Sequence, residues 1–233
     1  LLTHLANVAA VKIENARLFE QAVAAERMEQ EIQKAAEIQN HLLPAEGPPI
    51  DGYEGFGTSL MCRAVGGDYY DYLPLDGDRI AFGLGDVAGK GMPAALLMAS
   101  FQASLRALSE LGMPAEETIT RMNRVMCKTV PDNRFVTFFY GVLDPKANSL
   151  IYVNAGQTPP YLVRATGGLE QLGQSGPPRG LLDLSTYKPY TLSMEPGDLL
   201  GCYSDGVSEA TAPGGHECGE ERPAAPVGTA RPR

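Results

Sequence analysis

The stretch "GLGDVAGKGMPAALL", residues 83–97, determines how the rest of the chain can fold. An apolar run leads into Asp86, and a glycine-rich turn follows it. A helix-forming segment with a proline in its first turn begins just after Gly91. A strand, a tight turn and a helix in succession predict a helix packed on a sheet. The glycines and Lys90 also raise the question of whether the loop binds phosphate directly.

The spacing of this loop excludes the common phosphate-binding motifs. A Walker loop needs a glycine five residues before its Gly-Lys pair and a Ser or Thr after the lysine, but Leu84 and Gly91 stand at those positions. A dinucleotide-binding turn is disfavoured because Asp86 would repel the pyrophosphate. No acidic residue stands close to twenty positions further on, where the ribose contact belongs. A metal ion that in turn binds the phosphate is the alternative.

Three aspartates share the same setting, each beside a glycine at the end of a short apolar run. They are Asp68 in "AVGGDYYDYL", Asp86, and Asp205 in "LLGCYSDGV". Carboxylates that converge repel one another unless a cation joins them, and hard oxygen ligands suit Mg²⁺ or Mn²⁺. Neighbouring glycines let the backbone approach closely, so main-chain carbonyls can also serve as ligands. The residues alone leave two interpretations open: a metal site or ordinary turn aspartates.

The pattern around this loop predicts an α+β fold. Two helical segments, residues 92–111 and 114–130, follow the first strand-like run. The strand-like runs are residues 79–87, 134–144, 149–156, 160–165, 187–194 and 198–206. The absence of regular βαβ alternation favours antiparallel sheet with helices packed on it.

Residues 1–43 read as one long helix, since no Pro or Gly occurs before Pro44. A heptad seam runs through Leu18, Gln21, Ala25, Met28, Ile32, Ala35, Gln39 and Leu42. The seam predicts a homodimer through residues 18–42, and the alternative is an amphipathic helix docked on its own domain. The turn-rich residues 44–55 mark a boundary. We therefore predict a linker helix over 1–43, a globular domain over 44–212 and an atypical, disordered tail over 213–233.

Composition narrows the class of protein. The 233 residues carry a net charge of -9, which argues against a nucleic-acid partner. No apolar run is long enough to span a membrane, and the N-terminus has no signal-peptide pattern. The four cysteines are scattered without a C-x-x-C pair, which favours reduced thiols and a cytoplasmic location. Because the sequence starts at Leu1, we expect it to be part of a longer protein.

Four motifs carry a resemblance to a known family. In chain order, "VGGDYYDYL", "GDVAGKGMPAALLMA", "NAGQTPPYL" and "EPGDLLGCYSDGVSEA" resemble the motif set of the bacterial SpoIIE/RsbU branch of the PPM protein phosphatases, from about residue 38 to 212. Residues 14–44 resemble the linker that joins a GAF sensor to such a phosphatase. Residues 8–20 would form the last helix of that sensor.

The resemblance implies a PPM-like antiparallel β-sandwich flanked by helices, which hydrolyses phosphoserine or phosphothreonine with two Mn²⁺ or Mg²⁺ ions. Asp86 matches the aspartate that bridges both ions, and the carbonyl of Val87 is a further ligand. Asp68 matches a ligand of one ion and Asp205 a ligand of the other, whereas Asp71 receives no ligand role. The substrate implied is a phosphorylated STAS-type anti-sigma-factor antagonist.

The chain departs from the family pattern in two places. The family ends in a strand with an Asp-Asp-x-Thr motif that supplies a further ligand, but no aspartate follows Asp205 here. We therefore expect the last ligand and the C-terminal strand to be missing. Loss of that ligand would weaken the binding of one ion. A pseudophosphatase that binds a partner without turnover is the alternative. The second departure is Gln157, where the family usually has His; glutamine cannot titrate near neutral pH.

Overall fold

Helix α1 (Leu2–Leu42) occupies the N-terminal segment that the sequence predicts to be helical. Its 41 residues extend about 60 Å at 1.5 Å per residue. Side chains are exposed almost throughout residues 9–31, and burial begins at Ile32. The structure is a computed structural model that describes residues 2–59, 64–130, 134–178 and 186–208. The long helix therefore joins the rest of the described chain only through its last three turns.

The other elements form two antiparallel sheets and two main helices. The strands are β1 (Tyr69–Pro74), β2 (Ile80–Val87), β3 (Val136–Asp144), β4 (Ser149–Ala155), β5 (Tyr161–Val163), β6 (Leu169–Gln171), β7 (Tyr190–Ser193) and β8 (Leu199–Gly201); the helices are α2 (Met92–Ser109), α3 (Ala115–Thr129) and the short α4 (Asp205–Ser208). One sheet has the order β1-β2-β3-β4-β7 and the other β6-β5-β8. Every described pairing between these strands is antiparallel.

Alternating side chains of the large sheet enter two separate cores. Phe138 and Tyr140 of β3 join the core beneath α2 and α3, where Met98, Phe101, Ile119 and Met122 are fully buried. Phe139 of β3 and Tyr152 of β4 face the other way and pack with Leu162 of β5 and Leu172. The layers are therefore helices, a five-stranded sheet and a three-stranded sheet. This arrangement confirms the predicted α+β sandwich.

Two glycines of β2 leave space for an aromatic ring from the neighbouring strand. A Cβ atom added at Gly83 would lie 2.4 Å from the ring of Phe138, and one at Gly85 would lie 2.7 Å from it. The ring of Tyr69 on β1 meets that of Phe138 on β3 across β2, with their centroids 6.2 Å apart. These glycines therefore serve packing, whereas the sequence assigned the loop's glycines to carbonyl coordination and a tight turn.

The element bounds differ from the predicted ones at several points. Strand β1 was not among the predicted strands, and the short β6 has exposed side chains that give no apolar signal. The predicted strand over 198–206 ends as β8 at Gly201, so Asp205 begins α4 instead of ending a strand. The prediction of an atypical tail over residues 213–233 and of a missing C-terminal strand lies outside the described residues, which end at 208. Among the described helices, none is long and apolar enough to cross a membrane.

Candidate metal centre

Strand pairing brings Asp68 next to Asp86. Strands β1 and β2 are antiparallel with Tyr69 opposite Gly85, so the residue before Tyr69 lies beside the residue after Gly85. The N–H of Val87 donates to the carbonyl of Gly67 at 3.3 Å and extends this contact by one residue. The start of one strand and the end of the next thus meet at a single edge, as the glycine-flanked aspartates predicted.

Gly67 lies directly against two of the predicted ligands. A Cβ atom at this position would be 2.5 Å from the carbonyl oxygen of Val87 and 3.1 Å from Oδ1 of Asp86. Any side chain here would therefore displace both oxygens, whereas glycine lets its backbone lie directly against them. Gly67 thus permits the start of β1 to approach the end of β2 closely.

Asp205 approaches Asp68 from the far end of the chain. The pKa of Asp68 is raised, first by burial and second by the negative charge of Asp205, while a hydrogen bond with the Ser204 side chain opposes the shift. A second negative charge close to a partly buried carboxylate is a setting in which a bound cation is favourable. The structure therefore places Asp205 close enough to Asp68 for its charge to act there.

The donors at this edge are carboxylates and a main-chain carbonyl, which are the hard oxygen ligands that Mg²⁺ and Mn²⁺ prefer. Their chemistry, the close approach of the Gly67 backbone to the oxygens of Asp86 and Val87, and the negative charge of Asp205 acting on Asp68 fit a divalent cation. Within the described ranges, however, no three His, Cys, Asp or Glu side chains come close enough together to hold an ion. The predicted ligands are adjacent but do not form a closed cluster.

Asp71, which the sequence excluded as a ligand, is engaged in an ion pair beneath the sheet. Its carboxylate accepts hydrogen bonds from Arg106 Nε at 2.8 Å and Nη2 at 3.1 Å. The hydroxyl of Tyr69 (2.8 Å) and the N–H of Tyr72 (2.9 Å) also donate to it. Burial and the charge of Asp71 raise the pKa of Tyr69, which keeps this phenol a donor. Asp71 thus ties α2 to β1.

Gln157 connects the two sides of the candidate centre. Its Oε1 accepts a short hydrogen bond from the hydroxyl of Thr137, which also donates to the backbone carbonyl of Asp86 at 3.4 Å. Its Nε2 donates to the carbonyl of Tyr203, two residues before Asp205, and its N–H donates to Asn154. The side chain is 2% exposed. The residue that departs from the family pattern therefore links the strand of Asp86 to the segment that carries Asp205.

Gln157→Leu is expected to lower the free energy of unfolding by about 2–3 kcal/mol, because it leaves the Thr137 hydroxyl and the Tyr203 carbonyl without this partner in a buried site. Urea unfolding followed by circular dichroism measures the change. Gln174→Leu, at an exposed glutamine, is the matched control and should change stability by less than about 0.5 kcal/mol. Equal effects of the two variants would contradict the linking role.

Sequence reasoning missed several residues around the centre. Thr137 and Ser204 carry no motif signal because single hydroxyls occur everywhere. Arg134 lies beside the loop after Asp86, where its Nη1 donates to the carbonyl of Ala88 at 3.2 Å. Gln39 was treated as a seam position, yet it hydrogen-bonds to Gly66. The missed contacts join segments far apart in the chain, which local spacing does not show.

Comparison with known proteins identifies the family. The model of the Stage II sporulation protein E (SpoIIE) family matches residues 76–231, which is well over half of the chain. The chain belongs to the SpoIIE family. The match covers Asp86, Val87, Asp205 and Gln157, and it begins after Asp68.

Individual relatives support the same assignment to the SpoIIE/RsbU branch of the PPM phosphatases. Protein IcfG of Synechocystis is 30% identical over 220 residues, and phosphoserine phosphatase RsbU of Bacillus subtilis is 29% identical over 191 residues; each match covers 82% of this chain. This SpoIIE-family chain spans only 34% of IcfG and 57% of RsbU. The crystal structure of the RsbU and RsbW domains of Rv1364c from Mycobacterium tuberculosis matches with a TM-score of 0.60 and 29% identity, over 72% of this chain and 45% of that one.

Proposed function

We propose that this chain is a metal-dependent phosphatase domain that hydrolyses phosphoserine or phosphothreonine on a regulatory protein in bacterial signalling. The observation that carries the proposal is that Asp68 lies beside Asp86 at the meeting point of β1 and β2, within reach of the charge of Asp205, in a SpoIIE-family chain. Similarity to a phosphoserine phosphatase, RsbU of Bacillus subtilis, supports the same reaction.

The residues at this edge have separate roles in the proposal. Asp86 would serve as a ligand of both of two Mn²⁺ or Mg²⁺ ions, the Val87 carbonyl would be a further ligand, and Asp68 and Asp205 would each hold one of the ions. Such a pair of ions would supply hydroxide near neutral pH and offset the charge of a phosphoryl transition state. Gly67 lets the backbone before Asp68 lie against the oxygens of Asp86 and Val87.

A cysteine nucleophile is not needed for this reaction, and Cys202 is unsuited to the role. Burial raises the pKa of Cys202 to about 12, so the group remains a thiol at neutral pH. The thiolate is the nucleophilic form, and it is nearly absent under these conditions. Metal-activated water therefore accounts for hydrolysis better than a thiol does.

The substrate proposed is a phosphorylated STAS-type anti-sigma-factor antagonist, whose dephosphorylation would release a sigma factor in the cytoplasm. The negative net charge of -9 does not forbid a phosphoprotein, because bound cations supply local positive charge at the site. No nucleic-acid or membrane partner is proposed.

Phosphate release from p-nitrophenyl phosphate and from a phosphoserine peptide, with and without Mn²⁺, tests the reaction. The chain should be assayed as it stands and also with a SpoIIE-family C-terminal segment carrying the Asp-Asp-x-Thr motif grafted after residue 212. Mn²⁺-dependent release, larger in the grafted chain, is expected. No release from either chain would overturn the proposal.

A pseudophosphatase is the second candidate, in which the domain binds its partner without hydrolysis. It is favoured by the absence of any aspartate after Asp205 and by the lack of a closed three-ligand cluster among the described residues. Calorimetric titration with Mn²⁺ separates the two candidates. Tight binding of a single ion with negligible turnover would support the pseudophosphatase.

We also propose that α1 forms a homodimer. The exposed part of α1, residues 9–31, carries five large apolar side chains that are at least half exposed: Val11, Ile13, Leu18, Phe19 and Met28. The C-terminal half of the predicted seam is different: Gln39 is buried against its own domain, and Ala35 packs there as well. The docked-helix alternative thus describes residues 32–42, and self-association is proposed only for the exposed part.

The chain is expected to sediment as a dimer at tens of micromolar, in order of magnitude, in analytical ultracentrifugation. The double variant Leu18→Glu and Met28→Glu should be monomeric, since paired like charges and lost apolar contact disfavour the seam. Gln33→Glu, an exposed change away from the seam, is the control and should remain dimeric. A monomeric wild type would contradict the proposal.

A further inference from the structure

The side chain of Gln39 on α1 holds both backbone groups of one residue near the candidate centre. Its Nε2 donates to the carbonyl of Gly66 at 2.7 Å, and its Oε1 accepts from the N–H of Gly66 at 3.1 Å. The glutamine is 4% exposed and lies 27 positions away in sequence. Two simultaneous hydrogen bonds fix the orientation of the peptide groups on both sides of Gly66, and both are made where water cannot easily replace them.

The residues after Gly66 continue this contact to the proposed ligands. Gly67 accepts the N–H of Val87 and lies against the oxygens of Asp86 and Val87. Asp68 is itself a proposed ligand, close enough to Asp205 to respond to its charge. Residues 66, 67 and 68 therefore carry, in order, the contact with α1, the contact with β2 and a proposed metal ligand. A shift of the Gly66 peptide would move the Asp68 carboxylate relative to Asp86.

The end of α1 is also held by a contact that does not touch residues 64–68. Gln102 of α2 donates to the carbonyl of Leu42 through its side-chain Nε2. Ala36 is different, because it packs in a small buried cluster with Ala95 and with Val65, the residue directly before Gly66. Gln39 and Gln102 therefore hold the helix end through different contacts, and of these two only Gln39 reaches Gly66, so their effects can be separated by mutation.

We propose that Gln39 is a positioning residue that sets the geometry of residues 66–68 and thereby the affinity of the proposed metal site at Asp68. The proposal rests on the proposed metal-dependent function. Because a coupling free energy is reciprocal, a bound ion must stabilise the contact between Gln39 and Gly66 as much as that contact strengthens binding of the ion.

The full chain with Gln39→Met tests this role, since methionine keeps the length of the side chain and removes both hydrogen bonds. We expect about tenfold weaker Mn²⁺ binding by calorimetry, within the range for losing a group that orients a ligand. Amide hydrogen exchange of residues 64–68 should be faster without metal. In the wild type, Mn²⁺ should slow exchange in residues 36–42, and this protection should be reduced in the variant.

Two controls separate positioning from general stability. Gln33→Met changes an exposed glutamine of the same helix and should leave Mn²⁺ binding and exchange unchanged. Gln102→Met loosens the helix end without removing a contact to Gly66, and we expect less than a threefold change in Mn²⁺ affinity. An equal loss in Gln102→Met and Gln39→Met would overturn the proposal, because helix docking alone would then explain both.

Wild-type Mn²⁺ affinity in folded Gln39→Met would also overturn it. If Gln39→Met does not fold, Gln39→Glu carries the same comparison, because its carboxylate still accepts from the Gly66 N–H but cannot donate to the carbonyl. Binding and exchange are measured without turnover. A wild type that binds Mn²⁺ but hydrolyses nothing would therefore reject the phosphatase while leaving the role of Gln39 to be decided by these data.

Discussion

Replacing Asp86 with alanine is expected to reduce Mn²⁺-dependent phosphate release by more than about 100-fold, and Asp68→Ala is expected to have a smaller effect. Loss of a group that only orients a ligand commonly costs about 10–100-fold, so loss of a ligand shared by two ions should cost more. Asp68 serves one ion in the proposal. Its replacement should leave the ion held by Asp86 and Asp205 nearly intact.

Initial rates measured across a Mn²⁺ titration give both the turnover and the apparent metal affinity of each variant. Asp51→Ala, at an exposed aspartate, is the matched control and should retain the wild-type rate. In Asp68→Ala, part of the lost rate should return at high Mn²⁺ concentration, whereas Asp86→Ala should not recover. Equal and mild losses in the two variants would contradict the bridging role of Asp86.

Removing the Asp71–Arg106 ion pair should produce the largest loss of stability. The carboxylate of Asp71 is 1% exposed and accepts four hydrogen bonds. Asp71→Ala is expected to lower the free energy of unfolding by about 3 kcal/mol, at the lower end for breaking a buried pair because Arg106 is half exposed and can turn to solvent. Arg106→Ala should cost a similar amount, since it leaves a buried carboxylate without its cation.

A double-mutant cycle in urea unfolding tests this pair. The sum of the two single losses in unfolding free energy should exceed the loss in the double variant by about 1–3 kcal/mol, which is the range for residues in one network. The exposed pair Glu117 and Arg121 on α3 is the control, with an expected coupling below about 0.5 kcal/mol. Additive effects at Asp71 and Arg106 would show that the pair does not act as a unit.

The architecture could be predicted because strong local signals agreed with it. Helix α1 has no Pro or Gly, and α2 starts where the first-turn proline predicts. The sequence did not predict strand β1, because a charged residue such as Asp71 normally indicates an exposed position and here it is buried. The distant Arg106 compensates that charge, and the sequence pattern does not show this partner.

The candidate site was predictable to the extent that its residues have repeated local settings. Asp68, Asp86 and Asp205 each stand beside glycine, and the structure places Asp68 beside Asp86 and within reach of the charge of Asp205. The orienting contacts were not predictable. Gln39 falls at a position of the heptad seam, so the sequence pattern assigns it to a coiled coil. No local signal shows that its side-chain amide hydrogen-bonds to Gly66, 27 residues later. Side chains that act across long sequence separations need the tertiary structure.

The ring of Phe138 over the two glycines of β2 has a consequence for how this family can diverge. A methyl group at Gly83 or Gly85 would overlap the ring, and a smaller residue at position 138 would leave a void that the glycines cannot fill. Neither position can change alone without cost, so accepted changes should occur as correlated pairs across β2 and β3. The packing of Phe138 thereby restricts which residues the strand carrying Asp86 can accept, independently of any role of Asp86 in metal binding.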